Sequence, residues 1–290
     1  MNNNNSNNNN KTISTLLSDI DDLLSNGKEE LDESNLENFL NTIKSDMIRL
    51  LTPSEGERKR LRLSAIGRED RKLWYEVNDK NIRKESSSNK MRFFYGHLLE
   101  ALLLYFAREA GHKVEKQQEE VNLEGIKGHI DAVIDGVLVD VKSASDFSFR
   151  KFSHRTLFKG DDPFGYIGQI SAYMEALNLE EGAFFAINKN SGELALLHID
   201  DLMTINASER VKHLKKVVNS DNKPERCYEP EEYGVAGNMI LKKNCMYCNY
   251  KEDCWSADAN DGEGLRTFRY ANGLKYFTKV VSEPKVEEML

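Results

Sequence analysis

Residues 128–142 read Gly-His-Ile-Asp-Ala-Val-Ile-Asp-Gly-Val-Leu-Val-Asp-Val-Lys. The centre, Ala132 to Val141, is apolar and β-branched and is broken by the pair Asp135-Gly136. Asp-Gly between two such runs is a strong short-range hairpin signal. The stretch therefore predicts strand, tight turn, strand, with the first strand opening near Asp131 and the second ending on Asp140, Val141 and Lys142. Alternate residues of a strand share a face, so Asp140 and Lys142 stand side by side, and the hairpin can bring Asp131 to them. Two carboxylates and an ammonium at the end of buried strands are costly to place. A divalent cation resolves that cost, because hard cations such as Mg²⁺ take oxygen ligands. The lysine can then orient a water or neutralise charge on a phosphate. The plain alternative is a solvent-facing hairpin with alternating charges; Asp-x-Lys at a strand end, with the upstream Asp, favours the metal site.

Length and composition set the frame. With 290 residues, 39% of them hydrophobic, the chain can bury a sizeable core. No apolar run approaches the roughly 18 residues of a membrane span, and the Asn-rich start has no secretory pattern, so an intracellular protein is expected. The net charge of −8 argues against wholesale coating by nucleic acid but leaves room for a local basic groove.

Upstream of the hairpin, 91–111 predicts a strong helix through Phe93, Phe94, Leu98, Leu99, Leu102, Leu103 and Phe106, closing at Gly111. His97 and Glu100 lie three apart and so share a face, and a lone Glu in an apolar helix calls for a partner or a metal. Val114–Val121 predicts the first strand. Further upstream, 1–10 is a low-complexity Asn tract, expected to be disordered. Residues 11–52 form an acidic arm of two amphipathic helices around Asn26-Gly27, either packing on the core or docking a partner such as a helicase. Glu57-Arg58-Lys59-Arg60-Leu61-Arg62 with Arg68, Arg71, Lys72, Trp74 and Tyr75 suits either a single-stranded nucleic-acid path or a solvated face beside a core tryptophan.

Downstream, Phe147, Phe149, Arg150, Lys151, Phe152, His154 and Arg155 interleave aromatic and basic residues, which suits a loop touching substrate. Asp162-Pro163-Phe164-Gly165-Tyr166 starts a helix that carries Gln169 and Tyr173 one turn apart on one face. Ala183–Asn188 and Leu194–Ile199 predict two more strands around Asn190-Ser191-Gly192. All four cysteines, Cys227, Cys245, Cys248 and Cys254, fall within 28 residues. Clustered cysteines of an intracellular chain are rarely disulfides, and four thiolates make a full ligand set for a metal. Residues 259–290 carry one amphipathic stretch and are otherwise assigned as a tail.

The ordered set over about residues 90–255 resembles the PD-(D/E)xK nuclease superfamily. It comprises a helix acid, Asp131, Asp140-x-Lys142, Gln169-x-x-x-Tyr173 and a cysteine tail. Within that superfamily it is similar to the RecB-like and CRISPR-adaptation iron–sulfur exonucleases, phage members included. Ile130 stands where the motif name has Pro. The resemblance implies a restriction-endonuclease-like α/β fold, a mixed central sheet flanked by helices (core 53–220), with a C-terminal four-cysteine module (221–258). It implies a Mg²⁺- or Mn²⁺-dependent deoxyribonuclease. Asp131, Asp140 and Glu100 would bind metal with His97 and the Val141 carbonyl assisting, Lys142 would position the water, and Gln169 and Tyr173 would border the site and contact DNA. The cysteines would bind a [4Fe–4S] cluster, with Zn²⁺ as the alternative; no cysteine precedes the core, which leaves Cys227 as fourth ligand. The implied activity is exonucleolytic, on single-stranded or end-bearing DNA in recombination, repair or phage DNA processing. A structure- or sequence-specific endonuclease, or a non-catalytic DNA-binding or assembly module, is the alternative.

Overall fold

The Asp135-Gly136 pair makes the expected turn: both residues have positive φ, 50° and 88°, the geometry a two-residue hairpin needs to match strand twist. It joins β4 (Ala132–Ile134) to β5 (Val137–Ala144) in antiparallel register, with Ala132 opposite Val139 and Ile134 opposite Val137. The structure, a computed structural model, describes residues 11–52, 59–79, 86–200 and 203–289. The asparagine tract 1–10 and Glu57-Arg58 of the basic run lie outside the described residues.

The chain divides into two units, one formed by Met1–Arg58, Arg62–Gly67 and Lys80–Lys212, the other by Lys59–Leu61, Arg68–Asp79 and His213–Leu290. The first holds a five-stranded sheet. Its strands are β1 (Val114–Glu115), β4, β5, β6 (Gly182–Asn188) and β7 (Leu194–Ile199), in the order β1-β4-β5-β6-β7. Only β5 and β6 pair in parallel; the other neighbours are antiparallel. The unit is thus a mixed α/β fold. β5 and β6 are buried nearly throughout, as the apolar runs predict for strands covered on both faces.

Helix α4 (Ser87–Glu109) packs against β5. Its start is capped by Ser86, whose side chain accepts from Asn89 N, and Gly111 follows its end at φ 90°. The two acidic-arm helices form as the spacing predicts, α1 (Leu16–Asn26) and α2 (Glu33–Leu51), with Gly27 at φ 72° between them. Ile13, Leu16 and Ile20 enter the same core cluster as Leu103, Leu104, Ala132, Val139 and Phe185. Burying side chains of this size is worth roughly 1.5–3 kcal/mol each. Helix α2 lies along α4 and is tied to it by a buried bond from Asn35 Nδ2 to Glu109 Oε1, 2.7 Å.

Three expectations are corrected. The strand proposed over 114–121 is broken: β1 ends at Glu115, and β2 (Glu120–Leu123) pairs instead with β3 (Ile126–His129) in a separate ribbon. Positive φ at Lys116 and Gln118 turns the chain between them. The aromatic-basic stretch after the triplet is not a loop but helix α5 (Asp146–Ser153), with Phe149, Phe152 and Lys151 buried. Lys151 pairs with the Asp161 carboxylate and donates to Asp161 O at 2.9 Å. Finally, the C-terminal tail is structured.

In the second unit, α3 (Asp70–Asn78) precedes a five-stranded antiparallel sheet of order β12-β10-β11-β9-β8. The strands are β8 (Glu231–Tyr233), β9 (Asn238–Ile240), β10 (Arg266–Tyr270), β11 (Gly273–Lys279) and β12 (Glu288–Met289). Phe268, Phe277 and Ile240 form its small core. Aromatic and basic residues in and just before α3 make contacts within this unit. Trp74 Nε1 donates to Ser220 O (2.7 Å), Tyr75 stacks on Tyr250 (5.3 Å, 8°), Arg68 pairs with Glu76, and Arg71 donates to Pro224 O (2.6 Å) and to Cys254 Sγ (3.1 Å).

Candidate active site

The site is built at the end of the β4–β5 hairpin in the first unit. Asp131 lies immediately before β4, and its Oδ2 accepts the Val141 N–H at 2.7 Å. This bond carries the carboxylate across the hairpin to the Asp140-Val141-Lys142 segment. Asp140 is 1% exposed. Its Oδ1 accepts from Gln169 Nε2 at 2.7 Å. Its Oδ2, also buried, faces the Lys142 ammonium as an ion pair but has no hydrogen bond of good geometry. Gln169 Oε1 in turn accepts from Lys142 Nζ at 3.4 Å. One amide thus bridges the carboxylate and the ammonium of the triplet, and the helix that carries it, α6 (Tyr166–Leu177), presents Tyr173 one turn further on.

Tyr173 is buried, and its hydroxyl bonds with Gln169 and Ser64. Burial and the Asp140 and Asp131 charges raise its pKa. The ring needs the bare backbone of Gly128: a Cβ there would stand 2.7 Å from Tyr173 Cε1. Glu100, from α4, is held by a bond from Gln118 Nε2 to Oε1. Burial, reinforced by the Asp140 charge, pushes the Glu100 carboxyl up to about 7, against the lowering effect of Gln118 and Lys142. Asp131 is raised well above the ordinary carboxylate value by burial and then by Glu100 and Asp140. Burial also raises Asp140, with Lys142 opposing. Burial alone would lower Lys142, but the Asp140 and Asp131 carboxylates outweigh it and raise the ammonium to about 12. At neutral pH Lys142 is a cation, not a base.

Glu100, Asp131, Asp140, Lys142, Gln169 and Tyr173 are therefore brought into one hydrogen-bonded and electrostatic cluster. His97 joins it only through Glu100: Nδ1 lies 3.9 Å from Glu100 Oε2, and the charges that act on the imidazole are those of Arg49 and Asp46 on α2. Burial and Arg49 lower its pKa. The Val141 N–H is taken by Asp131. Sequence reasoning did not reach Gln118, Ser64 or Tyr166. The first two are neutral polar residues with no motif spacing. Tyr166 opens α6, and its ring centroid lies 4.7 Å from Lys142 Nζ; its place directly after the Phe164-Gly165 turn was the available signal.

Among the described residues no group of three or more His, Cys, Asp or Glu side chains is arranged to hold a metal ion directly. The donor chemistry nevertheless suits a hard cation: one buried carboxylate and two partly buried ones repel each other, and one buried oxygen of Asp140 lacks a hydrogen bond. The four cysteines, in the second unit, line one small cleft with Arg71, Lys72, Tyr75 and Trp255. Burial raises Cys227 to about 11 and Cys245 to about 12, and neighbouring thiol charges add to both. Among the described residues no helix is long and apolar enough to cross a membrane.

No family model and no curated protein matches the sequence. Among solved structures the fold is similar to SSO0001, at 18% identity and TM-score 0.43 over 73% of this chain and 92% of that one. It is also similar to an alkaline exonuclease, LHK-Exo, from Laribacter hongkongensis, at 11% identity and TM-score 0.37 over 56% of this chain and 87% of that one. A third is a phage related exonuclease from Haemophilus somnus 129PT, at 14% identity and TM-score 0.34 over 61% of this chain and 88% of that one.

Proposed function

We propose that the chain is a metal-dependent DNA nuclease of the PD-(D/E)xK type that hydrolyses phosphodiester bonds, acting as an exonuclease on single-stranded or end-bearing DNA. The observation that carries this is the Gln169 amide bonded at once to Asp140 and Lys142, with the Glu100 and Asp140 charges both acting on Asp131 beside them. A solvent-facing hairpin, the plain alternative, would leave these side chains hydrated and their pKa values near normal.

Asp131 and Asp140, with Glu100, would hold one or two Mg²⁺ or Mn²⁺ ions; His97 adjoins through Glu100, and the Val141 carbonyl is the remaining oxygen of the triplet. When bound, such ions supply Lewis-acid stabilisation of the phosphate and a more acidic water. The chain's own residues do the rest. Lys142, kept protonated by its two carboxylate neighbours, orients a water through Nζ–H and stabilises negative charge on the phosphate oxygens. Gln169 fixes the Asp140 and Lys142 rotamers. Tyr173 braces Gln169 from the buried side and, with it, borders the DNA. Asp140 and Tyr173 are buried and the other side chains half-buried, which lowers the local dielectric and strengthens each of these interactions.

We further infer that Cys227, Cys245, Cys248 and Cys254 bind a [4Fe–4S] cluster, or Zn²⁺, of structural role. The support is that one cleft collects all four thiols and that soft thiolates select such metals. Roles in recombination, repair or phage DNA processing, and a helicase or other replication or recombination partner, belong to the same proposal. So does an intracellular location.

The test is nuclease activity of anaerobically purified protein on end-labelled linear single and double strands and on a closed circle, with Mn²⁺ or Mg²⁺. Degradation of linear DNA that is lost in Lys142→Ala supports the exonuclease. Cutting of the circle would replace it with an endonuclease. No turnover with metal bound would leave a DNA-binding or assembly module.

A further inference from the structure

Phe164 is 48% exposed, yet its backbone is fixed from several sides. The Asp162 carboxylate accepts the N–H groups of Tyr166 (2.8 Å) and Ile167 (2.9 Å). Gly165 adopts φ 73° and touches Gly67 so closely that a Cβ on Gly67 would lie 2.2 Å from Gly165 O. The Phe164 ring stacks on Tyr166 at 5.4 Å and 28°. Tyr166 is braced in turn by Phe152 and Phe184, each with its centroid 6.0 Å away. Lys142 Nζ lies 4.7 Å from the Tyr166 centroid. The result is a row that runs outward from the candidate catalytic ammonium: Lys142, Tyr166, Phe164. Its last ring is stacked on one side and half open to solvent.

The exposed part of a large apolar ring adds little to the core, and a ring already stacked on a neighbour offers a π-face at reduced entropic cost on binding. At two steps from a lysine that meets phosphate, the group such a face fits is a nucleobase. Bases inside a duplex already stack on both sides, so the base it takes is an unpaired one. We propose that Phe164 is a base-stacking residue that receives an unpaired nucleobase of the strand whose phosphate reaches Lys142. The inference rests on the nuclease reading above and narrows its substrate class to DNA with unpaired bases at the point of entry. Every base has a π-face, so the step carries no sequence preference.

The experiment uses the full chain in chelating buffer, so that DNA stays intact, and short single strands with 2-aminopurine at successive positions from each end. Wild type, Phe164→Ala, Phe164→Leu and Phe164→Trp are compared by fluorescence anisotropy and by quenching of the 2-aminopurine. Substitution at an exposed ring leaves the core untouched, and a melting curve of each variant verifies this. Phe164→Ala and Phe164→Leu are expected to weaken single-strand binding by about 5- to 150-fold, the loss of one stacked base. They are also expected to abolish quenching at one position, and Phe164→Trp to restore both. Fully paired blunt DNA is expected to show little change. Variants that bind and quench like wild type, while wild type hydrolyses single strands with Mn²⁺, would overturn the stacking step alone. Wild type that quenches through Phe164 but never hydrolyses would support it and sink the hydrolytic reading.

Discussion

Replacing Glu100 by Gln isolates the electrostatic strain of the site. In the folded chain without metal, burial holds this carboxyl up to about 7, against 4.5 in the unfolded chain. Between those values the folded state binds more protons than the unfolded state. The contribution of Glu100 to stability is therefore fully present below pH 4.5 and is lost as pH rises toward 7. At about 1.4 kcal/mol per pKa unit the loss is ~3 kcal/mol, which corresponds to roughly 6–12 °C in melting temperature for a unit of this size. The neutral Gln side chain has no such slope, so the pH dependence of wild type minus that of Glu100→Gln reports Glu100 together with its coupling to Asp131. Thermal unfolding of both proteins at pH 5 and pH 8 in chelator measures it. A divalent cation needs the ionised carboxylates, so added Mn²⁺ should stabilise wild type more at pH 8 than at pH 5, and Glu100→Gln less than wild type. Parallel pH profiles for the two proteins in chelator, or equal Mn²⁺ stabilisation at both pH values, would refute the strained-carboxylate account.

Gln169→Leu removes the bridge and leaves Asp140 Oδ1 buried without its donor, so a stability loss of about 1–3 kcal/mol in chemical denaturation is expected, with nuclease activity falling far more than DNA affinity. Gly128→Ala puts a Cβ 2.7 Å from the Tyr173 ring and 2.9 Å from Leu63 Cβ; overpacking of ~1–3 kcal/mol follows, and a lower melting temperature with impaired turnover would show it. Glu109→Gln breaks charge-assisted bonds to Lys28 and weakens the tie between α2 and α4, costing about 1–3 kcal/mol with no change in metal dependence. Cys245→Ser should abolish the visible absorption of an iron–sulfur cluster, or one equivalent of zinc, while the Lys142-dependent site in the other unit keeps its metal affinity; retention of full metal content would exclude the four-cysteine set.

The hairpin was legible because Asp135-Gly136 fixes both positive φ values at once and the flanking runs fix the register. Gln169 and Tyr173 were legible from one-turn spacing and chain order. Other features depend on contacts that no local pattern announces. Lys116 and Gln118 take positive φ without a glycine, so nothing in 114–121 signals the break between β1 and β2. The stretch 146–153 looks polar and mobile, yet Phe149 and Phe152 fall three apart on a buried face. The Lys151 charge between them is answered by Asp161 from beyond the helix. The C-terminal sheet did carry a signal. β10 and β11 meet at Ala271-Asn272 with Tyr270 opposite Gly273, and the Asn272-Gly273 dipeptide between Phe268 and Phe277 signals a hairpin at this place, one residue out of the observed register.

Helix α4 shows why the site itself is only half readable from residue types. Glu100 reads in the sequence as the lone acid of an apolar helix, but α4 carries two carboxylates, Glu100 and Glu109, and only the motif order distinguishes them. The structure separates them by their partners. Burial would raise Glu109, but Lys28, Asn35 and the Asp32 N–H all donate to it, and its pKa falls below the ordinary value. Glu100 receives one neutral amide and faces other acids, and it rises to about 7. A buried acid with several donors is a fastener; a buried acid set among acids carries a cost that the fold alone does not repay. That cost is offset once a cation is bound, which places the binding energy for metal in the arrangement of Glu100, Asp131 and Asp140 rather than in any one of them.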